Sequence, residues 1–231
     1  VKPSTVNRDV SNLRAMLNKA LEHAKIEINP IGRIKLLEEN NVRERVLSQD
    51  EFESLYLHCP PSLKGIVLIG FYLPMRQAEI LNLTWKEIDL KMRFIRLGGE
   101  RTKNKIGRNI PLHPRIIKFL RTCPRPIDGG YVFGNSRRFN RKAYNKAVES
   151  AGIADFNFHD LRHCAINNMR LAGNDHFVIK QASGAKTDSA FQRYNLVTEQ
   201  EMKSIKWLDE KSGKSGTMDT YMDTSTKTKI V

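Results

Sequence analysis

Apolar residues recur at three- and four-residue intervals through Val6, Val10, Leu13, Leu17, Leu21 and Ala24, the spacing of an amphipathic helix, with Ser4 or Thr5 available as N-cap. Asn29-Pro30 marks its limit, because proline disfavours helical geometry in the residue before it. A single amphipathic helix cannot bury its own stripe, so residues 1–29 read as the C-terminal helix of a truncated domain. Residues 30–45 are charged and aperiodic, as a linker would be. Ser48-Gln49-Asp50-Glu51 is a capping box opening a helix that carries Phe52, Leu55 and Tyr56, and it starts the main domain. Residues 63–72 are apolar enough for a buried helix, and 76–83 for a short one. The period then changes: residues 94–97 and 108–112, either side of a basic turn, predict a small antiparallel sheet. Helices are predicted again over 115–121, 138–150, 159–171, 175–182 and 188–195, and Thr198-Glu199-Gln200-Glu201 caps a last one through Trp207. Residues 46–208 therefore read as one domain, mainly α with a small antiparallel β-sheet. Residues 209–231, eight of them Ser or Thr, have little to bury and read as a polar, flexible tail.

Composition narrows the class. Of 231 residues, 40% are apolar and 28% charged, a globular balance that excludes collagen-like and wholly disordered chains. The longest apolar run, residues 65–75, is interrupted by Pro74 and falls short of the roughly 18 residues of a membrane span. The basic N-terminus lacks an apolar h-region, so no secretory signal is expected. Cys59, Cys123 and Cys164 form neither a disulfide framework nor a metal-ligand spacing, and a reducing cytoplasm is the expected setting. Thirty-nine Lys and Arg against 25 Asp and Glu give a net charge of +14, which favours a polyanion partner through release of counterions. The excess is clustered. Seven basic residues (Lys91, Arg93, Arg96, Arg101, Lys103, Lys105 and Arg108) share residues 91–108 with one acid, Glu100. Arg137, Arg138, Arg141, Lys142 and Lys146 form a second cluster, at helical spacing.

Four constellations could carry chemistry. His159 and Arg162, three apart on a helix, share a face and could cradle the non-bridging oxygens of a phosphate. Arg76 opens a helix, with Glu79 placed to orient its guanidinium or to form an ordinary intrahelical ion pair. Lys103 sits in the basic turn between the strands, and Tyr194 lies in Phe191-Gln192-Arg193-Tyr194. Taken singly, a His-x-x-Arg pair is usually a solvated feature and a lone tyrosine mostly a core or surface one.

In order, the four resemble the tyrosine recombinases, or phage-type integrases, whose catalytic fold is shared with type IB topoisomerases. The first arginine box resembles Met75-Arg76-Gln77-Ala78-Glu79-Ile80-Leu81-Asn82-Leu83-Thr84-Trp85, with Ile88-Asp89 beyond it. The hairpin lysine matches Lys103 within Thr102-Lys103 and Ile110-Pro111-Leu112, the His-x-x-Arg box matches His159 to Arg162, and the nucleophile matches Tyr194. The resemblance covers about residues 46–207, with residues 1–29 as the end of a core-binding domain. One position departs: the family usually has Gly-His, or Gly-Trp, about nine residues before the nucleophile, and here Gly184-Ala185 stands there. Natural divergence and a deliberate His-to-Ala change both fit, and the well-matched flanks favour the second.

The resemblance implies strand cleavage and rejoining in duplex DNA at attachment or recombination sites, through a 3′-phosphotyrosyl intermediate on Tyr194. Arg76 and Arg162 would clamp the phosphorane, Lys103 would protonate the 5′-oxygen, His159 would take the tyrosine proton or hold the phosphate, and Glu79 would support its neighbours. Energy is held in the covalent intermediate and charge is met by arginine, so no cofactor, ATP or metal is implied. Ala185 would weaken cleavage while leaving binding. Arg101, Lys105, Arg108, Arg137, Arg138, Arg141 and Lys142 are the expected DNA-gripping residues. A homotetramer on DNA, a monomer when free and no membrane partner complete the expectation. Competing readings are a type IB topoisomerase, a catalytically degenerate DNA-binding protein and a basic RNA-binding module; the last explains the charge but not the ordered boxes.

Overall fold

A computed structural model of the chain describes residues 1–39, 45–101, 107–127, 129–134 and 137–185. The chain divides into two units, Val1–Asn195 and Leu196–Val231, and the second lies wholly outside the described residues. The helices predicted over 188–195 and from Thr198, and the flexible tail, lie outside the described residues.

The first helix, α1 (Pro3–Glu22), begins two residues earlier than the Ser4 cap implies. Pro3 occupies its first turn behind Lys2, where a missing N–H costs nothing. It ends well before Pro30, and Ala24 takes a left-handed φ of 52° just beyond it. The charged segment that follows runs back along the helix. Asn7, buried, donates through Nδ2 to the Leu37 carbonyl at 2.8 Å and accepts the Leu37 amide at 2.8 Å. Leu13, Met16 and Leu21 of the same helix remain exposed.

The capping box holds as expected. Ser48 Oγ accepts from the Glu51 amide at 3.1 Å and Glu51 Oε2 accepts from the Ser48 amide at 2.9 Å, opening α2 (Gln49–His58). Next comes α3 (Pro61–Tyr72), buried over most of its length and apolar around its circumference, as a central helix must be. It packs against α2, the short α4 (Gln77–Leu81), α5 (Pro114–Thr122) and α7 (Asp160–Leu171). Close approach needs Gly65, because a Cβ there would stand 2.4 Å from the Phe119 ring and 2.5 Å from Phe133. Phe52 of α2 stacks on Phe71 of α3, ring centroids 3.7 Å apart; each such fully buried ring contributes about 1.5–3 kcal/mol of burial. Between α5 and α7, α6 (Arg141–Ser150) packs on α2, and α8 (His176–Ser183) follows α7.

Three antiparallel strands, β1 (Ile88–Asp89), β2 (Phe94–Leu97) and β3 (Arg108–Pro111), form a sheet in that order. The first escaped the sequence reading because two residues carry no periodicity. Ile95 pairs with Ile88 and Ile110, and Leu97 pairs with Arg108. Alternation therefore places Arg108 and Ile110 on the buried face and Asn109 on the open one. The chain is mainly α with a small antiparallel sheet, as its patterning predicts.

Candidate active site

Three segments converge at one end of the central helix. Arg76 is the N-cap of α4, His159 the N-cap of α7, and Gly184 the C-cap of α8. At the start of α7, Asn157 accepts the His159 amide at 3.1 Å and Asp160 accepts the Asn157 amide at 2.9 Å. That local turn places Arg162 one helical turn on, beneath His159. The residue is 5% exposed, and its guanidinium donates to the Pro74 carbonyl at 2.5 Å and the Ser183 carbonyl at 2.7 Å. Arg76 reaches the next carbonyl along, that of Gly184, at 3.3 Å, and keeps 27% of its side chain in solvent. Two guanidinium groups from distant parts of the chain thus stand on consecutive peptide carbonyls.

Glu79 joins this arrangement from below. Its Oε1 accepts from Arg76 Nη1 at 3.1 Å, and its Oε2 accepts from the Arg76 amide at 2.7 Å and from Arg108 Nη2 at 2.7 Å. Burial pushes the Glu79 carboxyl pKa up, but donation by Arg108 and by the Arg76 amide, with the charges of both arginines, outweighs it and leaves Glu79 below the ordinary carboxylate value. His159 is open to solvent on one side. The protein around its ring excludes enough water, and Arg162 and Arg76 lie near enough, to hold its pKa below the usual histidine value despite Asp160. A neutral imidazole can accept a proton at neutral pH.

Ala185 follows Gly184 directly; it is half-buried, packs against the Ile166–Ile179 cluster, and its amide donates to Ser183 Oγ at 3.2 Å. Lys103 and Tyr194 lie outside the described residues, as do Lys105 and the side chain of Arg101. Arg137, Arg138, Arg141 and Lys142 are exposed around the start of α6, with Arg137 over the Tyr131 ring, 5.2 Å from its centroid.

Arg108 departs from its expected place on the DNA-gripping surface. Its side chain is 2% exposed and turned inward, out of reach of a phosphate. The signal that could have shown this is the alternation of Arg108 with Ile110 and Leu112, which puts all three on one strand face. A cavity of about 1230 Å³ is bordered by Arg108 and Ala182 together with Tyr72, His113, Met169 and Gln181; Arg76, His159 and Arg162 do not line it. Among the described residues no group of three or more His, Cys, Asp or Glu is placed to hold a metal ion, and no helix is long and apolar enough to cross a membrane.

The chain is similar to known proteins over this same region. A shufflon-specific DNA recombinase of Escherichia coli is 30% identical over 196 residues, covering 83% of this chain and 50% of that protein. The integrase of Salmonella phage P22 is 27% identical over 214 residues, covering 84% and 54%. The chain thus spans about half the length of these curated relatives. In fold it is similar to a lambda integrase dimer bound to a COC′ core site, with a TM-score of 0.67 at 17% identity over 92% of this chain and 63% of that one. It is similar also to the Tn1549 transposon integrase in complex with a circular intermediate DNA, with a TM-score of 0.68 at 17% identity over 87% and 79%. The model of the phage integrase family matches residues 45–201, which contain both arginine boxes, and the chain belongs to that family of tyrosine recombinases.

Proposed function

We propose that this chain carries the catalytic part of a site-specific DNA recombinase that breaks and rejoins strands through a 3′-phosphotyrosyl intermediate. The observation that supports it most directly is that Arg76 and Arg162 both bond to the Ser183–Gly184 turn, with His159 near the two guanidinium groups and Ala185 next in the chain. Tyr194 Oη attacks a backbone phosphorus, the bond from phosphorus to the 5′-oxygen breaks, and Lys103 gives that oxygen its proton. Neutral His159 takes the tyrosine proton or holds the phosphate. Two arginines stabilise the added negative charge of the phosphorane, where one donor is worth about 3–4 kcal/mol of barrier. The 5′-hydroxyl of a second strand then attacks the phosphotyrosine, restoring the phosphodiester and the free tyrosine without hydrolysis or an external energy source.

Residues 46–208 are the catalytic domain in this reading, and residues 1–29 end a core-binding domain. The exposed Leu13, Met16 and Leu21 of α1 support that division, since they form an apolar stripe without cover. Duplex DNA is the partner, gripped by Arg137, Arg138, Arg141 and Lys142; the chain is monomeric when free and tetrameric on paired recombination sites. The Ala185 side chain offers no hydrogen-bond donor, so cleavage is slowed while binding persists.

The test is covalent capture. Nicked duplexes from a random-sequence pool are incubated with the 231-residue chain, and protein–DNA adducts are selected on denaturing gels. A band lost in Tyr194→Phe is the expected result; a band that survives that change sinks the assignment. Relaxation of supercoils without sequence preference would shift the reading to a topoisomerase.

A further inference from the structure

We infer that Arg108 is a positioning residue for strand cleavage, holding Glu79 against Arg76 and fixing the turn at the end of α8 on which Arg76 rests. The inference rests on the recombinase reading for the meaning of Arg76, and on the structure for everything else. A guanidinium buried to 2% exposure is strongly unfavourable unless its donors are met, and an apolar side chain could fill the same volume without that cost. Its partners are therefore informative. Nη2 donates to Glu79 Oε2 at 2.7 Å and Nε donates to the Ala182 carbonyl at 2.9 Å. Nη1 stands 2.9 Å from the place where a Cβ on residue 184 would lie, so Gly184 is packed directly on the guanidinium.

These contacts brace both groups that Arg76 touches. Glu79 holds Arg76 through its guanidinium and its backbone amide, and Gly184 accepts from Arg76 Nη2 at 3.3 Å. Without Arg108, Glu79 would be a buried carboxylate with one cationic partner, free to turn towards it. The Ala182 carbonyl would lose the side chain that links it to the sheet, and Gly184 the guanidinium it packs on. A lysine could meet one of the two acceptors, not both, because its single ammonium lacks the planar fork.

Arg108→Met and Arg108→Lys, made in the full 231-residue chain, separate this role from its rivals. The probe is a nicked duplex captured from a random-sequence pool by the unmutated chain. At saturating DNA, Arg108→Met should slow covalent-complex formation by about 100-fold, the usual cost of a displaced catalytic group. Affinity and its salt slope should stay within about twofold of the unmutated chain, since no phosphate contact is lost. Arg108→Lys should recover part of the rate. In a Glu79→Gln background, Arg108→Met should add less than about threefold, because residues acting through one another are not additive. A weakened affinity with a salt slope reduced by about 1 and an unchanged rate per bound complex would make Arg108 a DNA contact instead. Fully multiplicative losses with Glu79→Gln would also overturn the inference. Should Arg108→Met fail to fold, the lysine variant, which keeps charge and bulk, carries the rate comparison. If the unmutated chain captures no duplex, it is the recombinase reading that fails. Arg108 is then judged on the crystal structure of Arg108→Lys, where an Arg76 guanidinium in its original place refutes the bracing role and a displaced one supports it.

Discussion

The guanidinium of Arg76 donates to the carbonyl of Gly184 at 3.3 Å, across 108 residues of chain. Gly184 can offer that carbonyl because α8 ends there in a left-handed cap, φ 67°, with its amide returned to the Lys180 and Gln181 carbonyls at 3.0 and 3.1 Å. Gly184→Ala meets two obstacles. The left-handed conformation costs a non-glycine residue about 1–2 kcal/mol. A methyl would also stand 2.9 Å from Arg108 Nη1, whose own bonds keep it from yielding. Denaturant unfolding of Gly184→Ala should show a loss of about 2 kcal/mol, and a value within about 0.5 kcal/mol of the parent would mean the turn relaxes freely.

The Glu79 carboxylate supplies an acid-sensitive element. Its pKa lies below the ordinary glutamate value of 4.5, so the folded state binds fewer protons there than the unfolded chain does. The stabilisation is complete above that ordinary value and is lost as pH falls through the folded one. Removing one partner of such a buried pair costs about 3–5 kcal/mol. Glu79→Gln should therefore be less stable than the parent by roughly 3 kcal/mol at neutral pH, and the gap should narrow below pH 4.5. A gap of constant size down the acid range would remove the charge from the explanation.

Much of this architecture was legible in the sequence, and the omissions have physical causes. Helix periodicity located α2, α3, α5, α7 and α8 because each buries one stripe, or in α3 all faces, against a common core. The Ser48–Glu51 box was legible because its bonds are local. The bonds that assemble the site are not: Arg162 to Pro74 spans 88 residues, and no local pattern announces which carbonyl a guanidinium will find. Arg108 was misplaced for a different reason. Its basic neighbours argue for a charged face, but its period-two alternation with Ile110 argues for the buried face of a strand, and the strand geometry follows the alternation.

The exposed basic residues near α6 should behave differently from the buried arginines. Arg138 is exposed, so Arg138→Ala should weaken duplex binding across sequences and lower the salt slope by about 1, with the cleavage rate at saturation retained. Arg162→Ala should leave the slope nearly unchanged and abolish cleavage. Equilibrium binding over a series of salt concentrations distinguishes them; an unchanged slope in Arg138→Ala would take that face out of the interface.

Ala185 offers the most direct gain-of-function measurement. It sits one residue beyond the carbonyl that receives Arg76 and packs against the Ile166–Ile179 cluster, with its amide tied to Ser183 Oγ. Because Ala185 is only half-buried, a larger side chain can leave along the solvent side. On the recombinase reading, a histidine leaving on that side would bring a ring N–H beside Arg76 and Arg162, adding a donor to a phosphorane otherwise met by the arginines. One such donor is worth about 100-fold or more in rate when it acts chiefly on the transition state. Ala185→His should accordingly raise covalent-complex formation by about that factor at saturating DNA, with affinity unchanged within about twofold, because ground-state binding gains little. Tighter binding without faster cleavage would instead make residue 185 a ground-state contact. A rate unmoved in either direction would show that this site completes its phosphate cradle without that position.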